Sequence, residues 1–395
     1  MKPFLVLAGG TYQLPLIHAV KRRGMPVVLF DGSDQAPGFK LADESMVVDI
    51  ADPDAVVDAA RRVNPAAIAA IVSEVSVRSV AAATEALGLP GISRETAEAC
   101  TDKLLMHTRF AAAGLPCPPF VGLARGEDPL AAAQAIGFPQ VIKPVDSSGS
   151  RGVRRVETLA EVPEAVEAAW AQSRQGRAIL EGFMEGVECT VETFTVNGRT
   201  EILGISDKVR LPFPNCVSIN LTYPPYFDDR TRAAVGDAAI AALQAAGLED
   251  GPGHTEVMLT PNGPVVVEVA ARGGGYRIFS DILPAISGVD PVEAIIDQAL
   301  GRTPNVTPTR SRAAVLRFFN PAGHGVLRAV AGLDEAKRVD GVMDVVIEVP
   351  LGGPLRGITR DGERPGYIIA VADDRAAAVA AADRAEQSVA FDVEA

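Results

Sequence analysis

The sequence predicts an α/β protein of three domains, the first of which is built on a parallel sheet. Over the first 90 residues, short apolar runs alternate with amphipathic stretches. The middle of the chain carries longer strand signals and tight turns, and a linker then leads to a last, smaller α/β segment. A chain of 395 residues is long enough for two or three domains of roughly 100–200 residues each.

The first segment has the alternation expected of parallel strands joined by helices. Three apolar runs with the length of buried strands and two stretches with helical spacing follow one another: 4–8, 14–23, 27–30, 53–63 and 67–72. Asp52 is placed to cap the second helix. Ligands bind beyond the carboxyl ends of parallel strands, where Gly9, Gly10, Asp31 and Glu74 fall.

The remaining segments mix strands and helices with one hairpin. Patterning predicts these elements in chain order: helix 96–113, strands 140–143, 178–181 and 188–196, helix 229–246, strands 255–259, 265–270, 313–319, 342–349 and 367–372, and helix 375–388. The turn 260–264, Thr-Pro-Asn-Gly-Pro, supplies fixed and positive φ values and therefore predicts a hairpin. Residues 301–309, with two prolines, predict a linker.

Composition and charge exclude several classes of protein. Hydrophobic residues make up 48% and charged residues 22%, so disorder is not the main state. The net charge of −13 repels nucleic acid and anionic lipid, and no run approaches the ~20 apolar residues of a spanning helix. The four cysteines (Cys100, Cys117, Cys189 and Cys216) form no C-x-x-C pair. We therefore expect a cytoplasmic protein without a disulfide framework or structural zinc.

A Ser/Gly loop follows the strand that ends at Lys143. It includes Ser147, Ser148, Gly149 and Gly152, whose hydroxyls and freely oriented backbone amides suit phosphate oxygens. The lysine adds a positive charge for the same anion. Because the lysine precedes the loop, the segment is not a P-loop. An ordinary hairpin loop with an exposed lysine remains the alternative.

The hairpin carries two carboxylates at matching positions. Glu256 and Glu268 lie six residues on either side of Asn262, so folding the hairpin places them opposite each other on apolar strands. Opposed like charges are destabilising unless a cation or proton lies between them, and Mg²⁺ prefers one or two carboxylates together with phosphates and water. Arg272 follows at the strand end, before three glycines. Two solvated glutamates on an open sheet face are the alternative.

Three further charged residues matter through their order. Lys103, Glu181 and Glu188 are each weak signals, and Lys103 alone would be a surface lysine. With the Ser/Gly loop and the hairpin, however, their order resembles the ATP-grasp superfamily of carboxylate–amine or carboxylate–thiol ligases. The H-x-E and E-x-A-A-R strands, with a further C-terminal domain, resemble L-amino-acid ligases most. Ala270 stands where many members have an asparagine metal ligand, and Gly273 stands where many have proline.

The resemblance implies a fold, an activity and a cofactor. It implies a pre-grasp α/β domain at 1–92, a two-lobed grasp domain at 93–303 with a mobile lobe at about 120–190, and a C-terminal domain at 310–395. The implied activity is amide or peptide bond formation through an acyl phosphate, with release of ADP and phosphate. The implied cofactors are ATP and Mg²⁺, as two ions, with Mn²⁺ as an alternative metal.

The resemblance also implies a role for each candidate residue. Lys103 and Lys143 would hold the α- and β-phosphates, and residues 147–152 would close over them as a lid. Glu181 and Phe183 would face adenine, and Glu188 would face the ribose. Glu256 and Glu268 would bind the metal, and Arg272 would neutralise charge on the transferring phosphoryl group.

Substrate contacts are the least defined part of the prediction. His254 shares a strand face with Glu256 and is a candidate catalytic residue, with a core histidine as the alternative. Glu74, Lys208 and Gly274 are candidate substrate contacts, although Glu74 also suits a helix N-terminus and Lys208 a surface. The segment 211–225, which contains Cys216, is predicted to be a binding loop. The expected partners are a small carboxylate and a small amine, with no nucleic acid or membrane, and a homodimer is left open.

Three other functions compete with this interpretation. Gly9, Gly10 and Asp31 suggest a dinucleotide-dependent oxidoreductase, but the G-x-G-x-x-G motif is absent. A non-catalytic ATP-binding protein would not need the metal carboxylates and Arg272. A different ligase, of the glycinamide or bicarbonate-activating type, stays open because a shared grasp domain says little about the substrate.

Overall fold

The computed structural model describes residues 1–212 and 217–394. Its first sheet, here called the N-terminal sheet, has four parallel strands: β1 Phe4–Leu7, β2 Val27–Asp31, β3 Glu44–Val47 and β4 Ala67–Ala69. Their order is β3-β2-β1-β4. All residues of β1 and β4 are buried, which explains their unbroken apolar sequence. The predicted parallel pairing of the three apolar strands is confirmed, whereas β3, a half-exposed edge strand with polar residues, gave no apolar signal.

Three helices accompany this sheet: α1 Leu14–Arg22, α2 Pro53–Val63 and α3 Val77–Leu87. The predicted cap of α2 is confirmed, because the Asp52 carboxylate accepts hydrogen bonds from the amides of Asp54 and Ala55. The helix α3 starts shortly after β4 ends, so the connecting loop carries Glu74 beyond the carboxyl end of that strand.

The single helix predicted over 96–113 is wrong, since two helices occupy this segment: α4 Arg94–Ala99 and α5 Lys103–Ala112. Asp102 has extended backbone angles, and its carboxylate accepts hydrogen bonds from the amides of Leu104 and Leu105. A new N-cap therefore replaces a continuous helix at this point. As a result Lys103 begins a helix, and its amide donates to the carbonyl oxygen of Val145.

A small antiparallel sheet comes next, with two helices packed on it. The small sheet has the order β5-β8-β6-β7, and its elements are β5 Phe120–Ala124, α6 Pro129–Ile136, β6 Gln140–Pro144, β7 Arg154–Val156, α7 Val162–Gln172 and β8 Arg177–Gly182. Its apolar core includes Leu123, Ile142 and Trp170. This unit corresponds to the predicted mobile lobe, and the predicted domain limits stay predictions.

The largest sheet, here called the central sheet, has eight strands in the order β13-β12-β9-β10-β11-β14-β18-β16. Its strands are β9 Val187–Val196, β10 Arg199–Arg210, β11 Ser218–Tyr223, β12 Gly251–Thr260, β13 Gly263–Ala270, β14 Ala313–Phe318, β16 Val342–Ile347 and β18 Gly366–Ala372. The last three strands come from the C-terminal segment and continue the sheet through β11. The C-terminal segment is thus joined edge to edge with the middle of the chain.

The remaining elements complete the molecule. They are α8 Asp229–Ala246, α9 Leu283–Ser287, α10 Pro291–Ala299, β15 Gly325–Ala331, α11 Leu333–Lys337, β17 Pro354–Leu355, α12 Arg375–Ser388 and β19 Ala390–Glu394. Strands β17, β15 and β19 form a separate three-stranded sheet. Residues 302–312 hold no helix or strand, as the predicted linker requires. Among the helices that the structure describes, none is both long enough and apolar enough to span a bilayer.

The predicted binding loop at 211–225 needs a correction. Residues 218–223 of it form β11, an inner strand of the central sheet, so this part of the segment is not a loop. The neighbouring strands β10 and β14 supply the pairing partners that the local sequence did not reveal. Cys216 lies outside the described residues.

Candidate active site

One cavity of about 510 Å³ lies where the small sheet, the central sheet and loops of both end segments meet. Most of the predicted site residues line it: Glu74, Lys103, Lys143, Ser147, Ser148, Gly149, Glu181, Phe183, Glu188, Lys208, His254, Glu256, Glu268 and Arg272. Gly152 and Gly274 do not line it. Gly152 packs against Pro144 and Gln172 instead, and Gly274 packs against Glu192.

The two hairpin glutamates face each other as the sequence predicts. Glu256 on β12 and Glu268 on β13 are directly paired in the strand register. Each carboxylate has its own lysine: Lys208 Nζ lies 2.5 Å from Glu256 Oε1, and Lys103 Nζ lies 3.2 Å from Glu268 Oε1. Lys208 lies on strand β10, and Lys103 begins helix α5. These two positive charges therefore offset the repulsion between the opposed carboxylates.

Charge pairing outweighs burial in this part of the cavity. Burial alone favours the neutral acid, but the Lys208 ammonium lowers the pKa of Glu256 to about 2. Burial likewise disfavours a charged lysine, yet the carboxylates of Glu188 and Glu256 raise the pKa of Lys208. The same balance raises the pKa of Lys103, chiefly through Glu268. These side chains are therefore charged across the physiological pH range.

The strand-end lysine of the Ser/Gly loop belongs to a buried triad. Lys143 Nζ on β6 lies 2.9 Å from Glu181 Oε2 on β8, and His107 Nε2 on α5 lies 3.0 Å from Glu181 Oε1. Burial raises the pKa of Glu181, but Lys143 and His107 together lower it to about 2. Glu181, which the sequence predicts to face adenine, thus directs its carboxylate at Lys143. This contact holds the lysine at the cavity wall.

Glu188 is held between two cations. Its carboxylate lies 2.7 Å from Lys208 Nζ and 2.7 Å from Arg210 Nη1, both on β10. Strand pairing explains this arrangement, because β9 and β10 are antiparallel neighbours in the central sheet. Lys208 consequently bridges Glu188 and Glu256. Glu188 is the predicted ribose contact, and Glu256 is a predicted metal ligand.

Arg272 is anchored from the N-terminal sheet. Its Nε donates to Glu74 Oε2 at 2.5 Å, and its Nη1 donates to the carbonyl oxygen of Gly273 at 2.9 Å. The amide of Gly273 donates to Ile71 beyond the end of β4. Burial disfavours the guanidinium charge, but Glu74 outweighs burial and raises the pKa of Arg272. Glu74, a predicted substrate contact, therefore positions the arginine.

The Ser/Gly loop lies over the lysines. Lys103 Nζ donates to the carbonyl oxygen of Ser147 at 2.7 Å, and Ser147 Oγ donates to the carbonyl oxygen of Arg151 at 2.8 Å. Gly149 and Gly152 have φ values of +67° and +73°, which favour glycine. The backbone turn that the sequence suggested for anion binding is therefore present at the cavity.

The sequence prediction did not include several residues that line the cavity or lie buried just behind its wall. His107 had a signal, because it lies one helical turn after Lys103. Glu192 also had one, because it shares strand parity with Glu188. Tyr276, Asp361 and Arg364 line the cavity from loops, and the last two come from the C-terminal segment. No local pattern in the sequence points to these two.

The two hairpin glutamates fit a magnesium site. They are paired across β12 and β13, their side chains are 30% and 21% exposed, and carboxylate oxygens are the ligands that Mg²⁺ prefers beside phosphate and water. Over residues 1–212 and 217–394, no group of three His, Cys, Asp or Glu side chains has metal-site geometry. The protein would therefore supply two ligands and leave the others to substrate and water.

Two family models match separate parts of the chain. The ATP-grasp domain model matches residues 136–280, and the model for L-amino acid ligase C-terminal domain 2 matches residues 317–394. The first match covers the Ser/Gly loop, the hairpin and Arg272, and the second covers the segment that contributes Asp361 and Arg364.

Similar proteins agree with these matches. The uncharacterized protein y4rH of Sinorhizobium fredii (strain NBRC 101917 / NGR234) is 32% identical over 309 residues, which are 76% of this chain and 63% of the relative. The L-arginine-specific L-amino acid ligase of Bacillus subtilis is 25% identical over 263 residues, 65% of this chain and 63% of the relative. The chain thus spans less than two thirds of the length of both proteins.

The fold is shared with a solved structure over its full length. The L-amino acid ligase from Bacillus licheniformis superposes with a TM-score of 0.86 at 23% identity, covering 100% of this chain and 99% of that one. The predicted fold class, with its parallel N-terminal sheet and two-lobed grasp, is confirmed. The chain therefore matches the ATP-grasp domain model over residues 136–280 and the L-amino acid ligase C-terminal domain 2 model over residues 317–394, and it shares the fold of this solved L-amino acid ligase.

Proposed function

We propose that this protein is an ATP-dependent ligase that joins an amino acid or another small carboxylic acid to an amine. The observation that carries the proposal is the pairing of Glu256 with Glu268, each held by a lysine, in the same cavity as Arg272. The Bacillus subtilis relative bears the name of an L-amino acid ligase, which supports an amino acid as one substrate.

Different charged groups of the cavity would bind the phosphates of ATP and the metal. Lys103, Lys143 and the Ser147–Ser148 backbone would bind the phosphates, because each reaches the cavity at the Ser/Gly loop. Glu256 and Glu268 would hold Mg²⁺, proposed as two ions. When bound, the metal neutralises charge on the phosphate oxygens. Lys208 and Lys103, which now pair with these glutamates, would be available to contact phosphate if Glu256 and Glu268 bound the metal.

The proposed reaction has two steps, a phosphoryl transfer and an attack by the amine. A substrate carboxylate oxygen attacks the γ-phosphorus of ATP, a new P–O bond forms, and the bond to the ADP oxygen breaks. An amine nitrogen then attacks the acyl carbon, the C–N bond forms, phosphate leaves and the amine loses a proton. Arg272 would stabilise the negative charge that develops on the phosphoryl group and on the tetrahedral oxygen.

Apolar side chains in the cavity support an apolar substrate side chain. Leu221, Ile278 and Phe318 line the cavity together with Tyr276, whose ring lies 4.8 Å from that of Phe318 between centroids. Burial of apolar surface favours binding by about 25 cal/mol per Å². Amino acids such as leucine, methionine or phenylalanine are therefore the proposed substrates.

The function is tested by phosphate release with pairs of amino acids. We expect ATP-dependent release of ADP and phosphate in equal amounts, a dipeptide mass in the product, and the highest rates when one partner has an apolar side chain. A second assay replaces the acceptor by hydroxylamine, which converts an acyl phosphate to a hydroxamate. ATP hydrolysis without any hydroxamate or amide, across the panel, would contradict the proposal.

Replacing Lys143 by alanine should weaken ATP binding selectively. Its ammonium lies at the cavity wall, 2.9 Å from Glu181 Oε2, where it would contact phosphate. Losing a charged contact to phosphate costs about 10- to 100-fold in affinity. We expect the KM for ATP to rise by that factor while the KM for the acceptor changes little. The exposed Lys337→Ala serves as the control, and an equal rise in both KM values would argue against a phosphate role.

The free cysteines bear on the cellular compartment in which this activity would take place. Cys100, Cys117 and Cys189 are free, as expected in a reducing compartment, so we place the protein in the cytoplasm. Its proposed partners are the two small-molecule substrates, and a homodimer remains a prediction without structural support here.

A further inference from the structure

His254 and Glu192 form a pair at the cavity that the proposed ATP site does not use. The two residues are register partners on β12 and β9, and His254 Nδ1 lies 2.7 Å from Glu192 Oε1. Glu192 is 1% exposed, whereas the His254 side chain is 15% exposed and lines the cavity. A carboxylate is thus buried behind a histidine that reaches the reaction space.

The Glu192 carboxylate has few other contacts. Within the described residues, its Oε2 has no hydrogen-bond partner. A Cβ atom on Gly274 would lie 2.7 Å from Glu192 Oε1, so glycine at this position leaves space for the carboxylate. A buried charge is costly unless it is hydrogen-bonded. The hydrogen bond from His254 is therefore the main stabilising contact of the Glu192 carboxylate.

The pairing determines how the imidazole is presented. A carboxylate accepts hydrogen bonds, so Nδ1 of His254 donates to Glu192. The tautomer with its proton on Nδ1 has Nε2 as the acceptor nitrogen of the ring. An acceptor at this place suits an N–H group of a substrate.

The strand β12 places that acceptor beyond the metal carboxylate. Met258, Glu256 and His254 follow one another on the cavity side of β12, opposite Glu188, Thr190 and Glu192 of β9. Two strand residues span about 7 Å. His254 is therefore about 7 Å beyond Glu256, on the side away from Met258, where the acyl group and its attacking amine would lie beside Arg272.

We propose that Glu192 is a positioning residue that orients His254, and that Nε2 of His254 binds the attacking amino group of the acceptor substrate. This inference rests on the proposed ligase function. It assigns the amine subsite to the part of the cavity that His254 lines on β12, beside the neighbouring strand β9.

The test compares two reactions of the same acyl phosphate. Hydroxylamine at saturating concentration traps it without needing the amine subsite, whereas an amino acid acceptor needs that subsite. We expect Glu192→Ala to lower kcat/KM for the amino acid acceptor about 10- to 100-fold relative to the hydroxamate rate, the usual range for loss of a supporting hydrogen bond. Glu192→Gln, which still offers an oxygen to Nδ1–H, should recover most of this ratio.

A double variant separates positioning from a general structural role. His254→Ala should lower the same ratio, and Glu192→Ala with His254→Ala should lower it no further, because both residues act through one contact. The control is Glu201→Gln, a glutamate on β10 whose partner is Arg199 at the surface. Additive losses, or an equal fall in hydroxamate and amide formation, would overturn the inference. No hydroxamate from the wild-type protein would instead overturn the ligase function itself.

Discussion

Replacing Glu268 by glutamine is expected to lower ATP turnover at least about 1,000-fold. Glu268 faces Glu256 across the hairpin, and these two side chains are the proposed protein ligands of Mg²⁺. The amide keeps the size of the side chain but not its charge, so it binds the metal weakly and leaves Lys103 without its carboxylate. Phosphate release at saturating ATP and Mg²⁺ measures the effect.

The fold should survive this change. The strand pairing of β12 and β13 uses backbone groups, and Glu268 is only partly buried, so the melting temperature should stay within a few degrees of the wild-type value. Glu249→Gln, at an exposed position, is the matched control. Turnover near the wild-type rate in Glu268→Gln would remove the metal role, and a collapse of thermal stability would require a less disruptive variant such as Glu268→Asp.

The second large effect is expected at Arg272. Arg272→Ala should lower kcat about 100- to 1,000-fold, since one oriented charge near the developing negative charge contributes that much. Lysine at this position should restore little, because Arg272 uses separate nitrogens for Glu74 and for the carbonyl oxygen of Gly273. Hydroxamate formation tests the first chemical step, and amide formation tests both.

The substitution Arg302→Ala is the control for this experiment, because Arg302 is 66% exposed and pairs with Asp297 away from the cavity. Glu74→Gln adds a second comparison. It keeps a hydrogen-bond acceptor for Arg272 but removes the charge, so we expect a smaller loss than in Arg272→Ala. If Arg272→Lys turned over at the wild-type rate, a positive charge alone would suffice and the argument from geometry would be wrong.

Turns and helix caps were predictable from the sequence because they depend on residues that are close together in the chain. The hairpin was predictable from its turn residues, but the pairing of Glu256 with Glu268 also depends on a register shift between Glu256 and Val257. Without that shift, the register next to the turn, where Thr260 pairs with Gly263, would place Glu256 opposite Val267. The cap at Asp52 was also predictable from nearby residues. Asp102 shows the limit: its capping signal competed with a helical pattern on both sides, and the extended conformation at Asp102 decided the outcome.

Partners of charged residues were not predictable from the chain. Lys208 looked equally suited to the surface and to the site, and its bridge between Glu188 and Glu256 exists only because β10 pairs with β9 and β9 pairs with β12. Glu181 was predicted beside adenine, but Lys143 and His107 hold its carboxylate. Most of the residues that the sequence singled out therefore line the cavity, and their contacts to ATP, metal and substrate stay predictions.

The sequence by itself determined the α/β class, the order of charged motifs and the position of the hairpin turn, because periodicity and turn chemistry act over a few residues. The tertiary structure alone decided that the C-terminal segment extends the central sheet and brings Asp361 and Arg364 to the cavity. It also decided that Glu192 lies behind His254. Contacts between distant segments depend on the sum of many weak packing energies, and no single stretch of sequence carries that sum.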